Sequence, residues 1–263
     1  MTVVNNVFSI FQILVVVVVI FLSARLVTRG NNVLLTVFFT FAFVSLLLSD
    51  LYWLTFDTLR YGMRMPIAAN EIGEWAFFLL LATGLSSLKK EKAGASVPEM
   101  LYVILFTAVN TALWIIWSGE WLQDIMTGFA VGVLAVSIVR TAPKEGIPER
   151  PAGPVIAAVS TLVIAFQALS TYIGNPLTRV LEYVSYALMY LVLIYFVYMT
   201  VRRYRENKNP AAFTFSLIAF VWNVFTMYMS PGVVYFVSLI TLTLILPLLY
   251  LTFRREVMKN DLC

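Results

Sequence analysis

Hydrocarbon runs of membrane-crossing length dominate this sequence. Apolar stretches lie near 7–27, 33–56, 73–88, 99–117, 121–140, 154–173, 179–201, 211–229 and 232–253, and the charged residues fall mostly between them. A bilayer core of about 30 Å is crossed by about 20 apolar residues in a helix. In lipid, a backbone N–H or C=O has no water to turn to, so such a run has to close its hydrogen bonds within itself. The pattern therefore predicts an all-α, polytopic integral membrane bundle of about nine transmembrane helices. Composition agrees: 61% of residues are hydrophobic and 12% charged, about half the charge a soluble domain carries.

The charges between the runs give an orientation. Alternate connections collect Arg25, Arg29, Lys89, Lys90, Lys92, Arg140, Lys144, Arg150, Arg202, Arg203, Arg205, Lys208, Arg254, Arg255 and Lys259, whereas the opposite connections hold Arg60, Arg64 and Arg179. Basic residues are retained on the cytoplasmic side. This predicts the N-terminus outside, the C-terminus in the cytoplasm and residence in the cell (plasma) membrane, with the bilayer as the main partner. It also accounts for the net charge of +4 without a nucleic-acid partner. The first run has no basic residues ahead of it, so it reads as a retained helix rather than a cleaved signal.

The chain reads as a single transmembrane domain over 1–263, divided by the Pro- and Gly-rich segment 140–154. Spans 2–5 and 6–9 suggest a weak hairpin repeat. Gly73-Glu74-Trp75 and Gly119-Glu120-Trp121 are identical tripeptides ahead of descending spans. Ascending spans each carry a polar residue in their outer half: Asp50, Asn110, Gln167 and Asn223. Start signals include Ser96 with Glu99, Asn70, Asn175-Pro176, Asn209-Pro210 and Ser230-Pro231. Pro247 is expected to kink the last span.

Candidate function resides on the outer side. Asp50, Asp57, Glu71, Glu74, Glu120, Asp124 and Glu182 gather there against Arg60, Arg64 and Arg179 as charge partners. Acids in the first turn of a helix meet its dipole favourably, and this ordinary role suits Glu71, Glu74, Glu120, Asp124 and Glu182. Asp50 lies two turns deeper than Asp57, about 10 Å inward, and an ionisable side chain inside a membrane points to a functional site. With Asn110, Gln167 and Asn223 these acids outline a candidate polar or ligand-binding cavity. Tyr183, Tyr186 and Tyr190 form a stripe that suits helix packing or an aromatic cation pocket. Gly128 and Gly132 predict a close helix contact, and the valines of 15–19 read as lipid-facing filler.

Three functions remain open. A permease-like transporter for a small cationic or proton-coupled solute leads from the acidic surplus and Asp50. A ligand-sensing or accessory subunit would act through a separate membrane or cytoplasmic partner. A carboxylate-based enzyme would use Glu71, Glu74, Glu120 and Asp124 on a hard cation. The enzyme reading is weakest, because the sequence has no histidine, its one cysteine is Cys263, and no nucleophile or zinc motif is present. The lysine-free last span excludes a retinal Schiff base there. No cofactor is expected.

Overall fold

A computed structural model describes residues 2–30, 32–59, 69–87, 97–141, 176–206, 211–227 and 232–258. These residues form eight helices: α1 (Thr2–Val27), α2 (Val33–Leu59), α3 (Ala69–Ser86), α4 (Val97–Ser118), α5 (Trp121–Thr141), α6 (Pro176–Arg205), α7 (Ala211–Met227) and α8 (Val233–Met258). No strand occurs among the described residues. Six of the helices (α1, α2, α4, α5, α6 and α8) are long and apolar enough to cross a membrane. The expected span at 154–173 lies outside the described residues.

The buried residues of α1 are Gln12, Val16, Val19, Ser23 and Leu26, and those of α2 include Leu35, Phe39, Ala42, Leu46 and Ser49. Both series step by three and four residues, as the seam of a left-handed bundle does. The opposite face of α1 exposes Val7, Ile10, Leu14, Val17, Val18 and Phe21, the apolar perimeter that lipid requires. The valine run is thus shared between two environments: Val16 and Val19 are core, while Val17 and Val18 face outward.

Side-chain contacts fix the helix directions. Glu71 meets Gln123 and Trp75 meets Thr127, so α3 and α5 run parallel. Gly73 lies against Ser45 and Ser49 whereas Gly84 lies against Leu35 and Phe38, so α2 and α3 are antiparallel. Phe8 packs on Phe236 and Gly30 on Val257, making α1 parallel to α8. Tyr190 bonds Ser238 and Tyr204 bonds Arg255, making α6 parallel to α8 as well. All described helices therefore start or finish at one of two ends. One end carries Asp50, Glu71, Glu74, Glu120, Asp124 and Glu182. The other carries Arg25, Arg29, Arg140, Arg202, Arg203, Arg205, Arg254 and Arg255.

Helix α7 occupies the centre. Its Phe220 meets Phe77 and Phe78 of α3, its Trp222 meets Phe106 of α4, its Phe215 meets Phe196 of α6, and its Phe213 meets Phe253 of α8. A helix that is apolar on every face must be enclosed, and nearly every described side chain of α7 is buried or partly buried. Phe253 also stacks on Phe39 of α2 with ring centroids 3.7 Å apart. The core is thus a phenylalanine column joining α2, α3, α7 and α8.

Local chemistry sets several helix ends. Asn32 caps α2, its Oδ1 accepting the Leu35 N–H at 3.2 Å. Asn70 lies within α3 rather than ahead of it, so the cap expected from Asn70 is not made at that position. The α4–α5 connection is two residues long, and Gly119 permits it by taking φ +75°, a backbone region that side chains disfavour. Helix α8 continues through Pro247.

Candidate functional site

The acidic end holds one cluster built from four helices. Asp50, partly buried on α2, accepts two contacts from Gln12 Nε2 of α1, at 3.3 Å to Oδ1 and 3.2 Å to Oδ2. The periodicity that buries the α1 seam places Gln12 opposite Asp50, which follows the α2 seam residue Ser49. Glu74 of α3 is near enough for its charge to act on both Asp50 and Glu71, and the charge of Asp124 on α5 acts on Glu71. Glu71 Oε1 accepts from Gln123 Nε2 of α5 at 3.1 Å, and Glu71 Oε2 is buried without a hydrogen-bond partner.

Asp124 is set by the tight α4–α5 turn. Ser118 Oγ donates to Asp124 Oδ2 and accepts the Glu120 N–H, the latter at 2.9 Å. Asp124 is 9% exposed, so Ser118 replaces water that burial has removed. Asp50, Glu71 and Asp124 therefore have uncharged partners: an amide, an amide and a hydroxyl. Like charges held this close repel, and the amides and hydroxyl only partly offset that.

The remaining predicted residues are dispersed. Asn110, fully buried on α4, donates from Nδ2 to the Phe106 carbonyl at 2.8 Å, and its Oδ1 lacks a hydrogen-bond partner. Glu182 on α6 accepts from the Tyr186 hydroxyl at 2.7 Å. Arg179 is exposed on the first turn of α6. Asp57 belongs to the last turns of α2. Gln167, Arg60 and Arg64 lie outside the described residues. The tyrosine stripe divides: Tyr186 is buried, Tyr190 is partly buried, and Tyr183 is 65% exposed on the perimeter.

Asn223 belongs to a second polar network, which joins α6, α7 and α8. Its Nδ2 donates to the Ser238 carbonyl at 3.0 Å. Tyr190 and Ser238 hydroxyls are 2.5 Å apart, Ser238 donates to Thr226 at 3.1 Å, and Thr226 donates to the Asn223 carbonyl at 2.6 Å. Sequence reasoning singled out Asn223 and Tyr190 separately but missed Ser238 and Thr226, as it missed Gln12 and Gln123. Gln12 was detectable as the polar member of the α1 seam; serine and threonine give no such signal, because they bond their own helix equally well.

The identical tripeptides do different work. Gly73-Glu74-Trp75 is inside α3, with Gly73 against the Ser45 carbonyl of α2 and Trp75 Nε1 donating to Thr127 at 2.9 Å. Gly119-Glu120-Trp121 makes the α4–α5 turn. Gly128 and Gly132 do mark a close contact, facing Thr111 and Thr107 of α4.

Among the described residues, no group of three or more His, Cys, Asp or Glu is arranged to hold a metal ion. Comparison of the chain with family models, with curated proteins and with solved structures finds no match in any of the three.

Proposed function

We propose that this is a nine-crossing membrane protein, N-terminus outside and C-terminus in the cytoplasm, that passes a small cationic or proton-coupled solute in a permease-like manner. The acidic end is its outward-facing binding region, and the cell membrane is its site of action. The observation that carries the reading is the convergence of Asp50, Glu74, Glu71 and Asp124 from three helices, with uncharged partners on Asp50, Glu71 and Asp124. Among the described residues, the hydrogen bonds to these three acids come from amides and a hydroxyl, which leave room for a passing positive charge.

Nine crossings are supported by helix direction. Helices α5 and α6 run parallel, so the chain leaves the basic end at Thr141 and resumes at the acidic end at Pro176. The proposal puts a further crossing there, at the apolar run 154–173 read from the sequence. The basic residues of the described helices cluster at a single end, apart from Arg179, and this supports the orientation.

The test is flux in liposomes reconstituted with the full chain, read by an internal pH dye and by radioactive sodium. The wild type is expected to dissipate an imposed gradient of at least one of these ions faster than protein-free liposomes, and Asp50→Asn is expected to abolish the difference. Equal rates for wild type and Asp50→Asn would refute the role given to Asp50.

A further inference from the structure

The Gln12–Asp50 pair allows the chemistry of the binding region to be narrowed, and this step rests on the permease reading above. Gln12 is 4% exposed, so its amide is cut off from water. Its Nε2 straddles the two Asp50 oxygens at 3.3 and 3.2 Å. Its Oε1 is buried with no hydrogen-bond partner. Buried acceptors are nearly always satisfied, and an ionised carboxylate, which has no hydrogen to give, cannot satisfy this one.

A neutral Asp50 has the O–H that Gln12 Oε1 lacks. A small rocking of the amide in its own plane would leave Nε2 donating to one carboxyl oxygen and let Oε1 accept the proton carried by the other. The result is a closed acid–amide ring with two hydrogen bonds and no orphaned atom. In the ionised state, Nε2 serves both oxygens and Oε1 goes without. We infer that Gln12 and Asp50 form a proton-binding site in which the amide recognises the protonated carboxyl. The step takes one proton from hydronium: an O–H bond of hydronium breaks to leave water, one O–H bond forms on a carboxylate oxygen, and no bond in the protein breaks.

The unsatisfied Gln12 oxygen lies on a different helix from the acids and is independent of their number. Among the described residues, the groups facing Asp50 are few. From α1 the group is the Gln12 amide. From α3 it is Glu74, the one other described residue whose charge acts on Asp50, with Glu71 beyond it and Asp124 of α5 beyond that.

Infrared difference spectra between high and low pH, taken on the full chain in lipid, test the inference. A C=O band of a protonated carboxyl is expected to grow as pH falls. It should be absent in Asp50→Asn, which keeps the side-chain shape. In Gln12→Leu it should move to higher frequency as the ring opens; if that variant does not fold, Gln12→Glu should move it as well. A band retained in Asp50→Asn, or one unmoved by replacing Gln12, would overturn the proposal. The expected bands in a protein without flux would sustain the proton site and overturn the permease reading. Flux without an Asp50 band would overturn the proton site alone.

Discussion

Asn223 shows what a buried polar residue contributes in a bundle of this kind. Its amide ties α7 to the Ser238 carbonyl of α8, within a chain of hydroxyls that reaches Tyr190 of α6. Interhelical hydrogen bonds in membranes average about 0.6 kcal/mol and reach about 1.7 kcal/mol. Asn223→Leu is therefore expected to lower stability within that range, measured by reversible unfolding in mixed micelles; a loss beyond about 3 kcal/mol would mean the network acts as a unit. Glu71→Gln is expected to keep the Gln123 contact through its carbonyl oxygen while removing repulsion from Glu74 and Asp124. It should stabilise the fold by a few tenths of a kcal/mol or more, the scale of like-charge pairs on a helix surface; a clear loss in the same assay would contradict the repulsion argument. Asp50 was legible in the sequence because a carboxylate inside an apolar run is costly. Its partner carried a weaker signal: a glutamine in such a run has no charge to betray it and is marked only by its place in the seam.

Helices were the most legible level. The runs at 33–56, 121–140 and 211–229 correspond to Val33–Leu59, Trp121–Thr141 and Ala211–Met227. The apolar runs fell short at ends such as Thr2–Val27 and Pro176–Arg205, because helices continue into polar residues where backbone bonding still pays. Contact distance was legible only where glycine marked it. At Gly128 a Cβ would collide with the Thr111 side chain, at Gly119 space is open but φ is +75°, and at Gly232 space is open with no such constraint. Gly128→Val is expected to cost about 1–3 kcal/mol through overpacking and Gly119→Ala about 1–2 kcal/mol through the left-handed backbone. Gly232→Ala should change stability by less than about 0.5 kcal/mol. The same unfolding assay ranks them, and equal losses at all three would show that neither packing nor backbone geometry governs these sites.

For the whole molecule, charge separation makes a topological prediction. The chain has one cysteine, Cys263. Under the proposed orientation, with the C-terminus in the cytoplasm, a membrane-impermeant maleimide should leave the wild type unlabelled on intact cells and label it after permeabilisation. In a Cys263→Ser background, Gly232→Cys should be labelled on intact cells. Labelling of wild-type protein on intact cells would reverse the orientation. The end-to-end sorting of arginines was readable from spacing alone, since it follows from counting spans. The neighbour relations were not: nothing in the sequence says that α1 lies against α8 or that α7 is encircled, because apolar faces in lipid do not encode which other face they meet.

The contact between α1 and α8 has a consequence for biosynthesis. About 200 residues separate the end of α1 from the start of α8, and at about 5–20 residues per second their synthesis takes about 10–40 s. During that time α1 lacks its contacts with α8 at Phe8 and Gly30, and α7, once made, waits for Phe253 of α8 to reach Phe213. Among the described residues, α8 is the last helix to join α1, α6 and α7, so a ribosome that stalls before α8 leaves those contacts unmade and exposed to whatever chaperone or protease reaches them first.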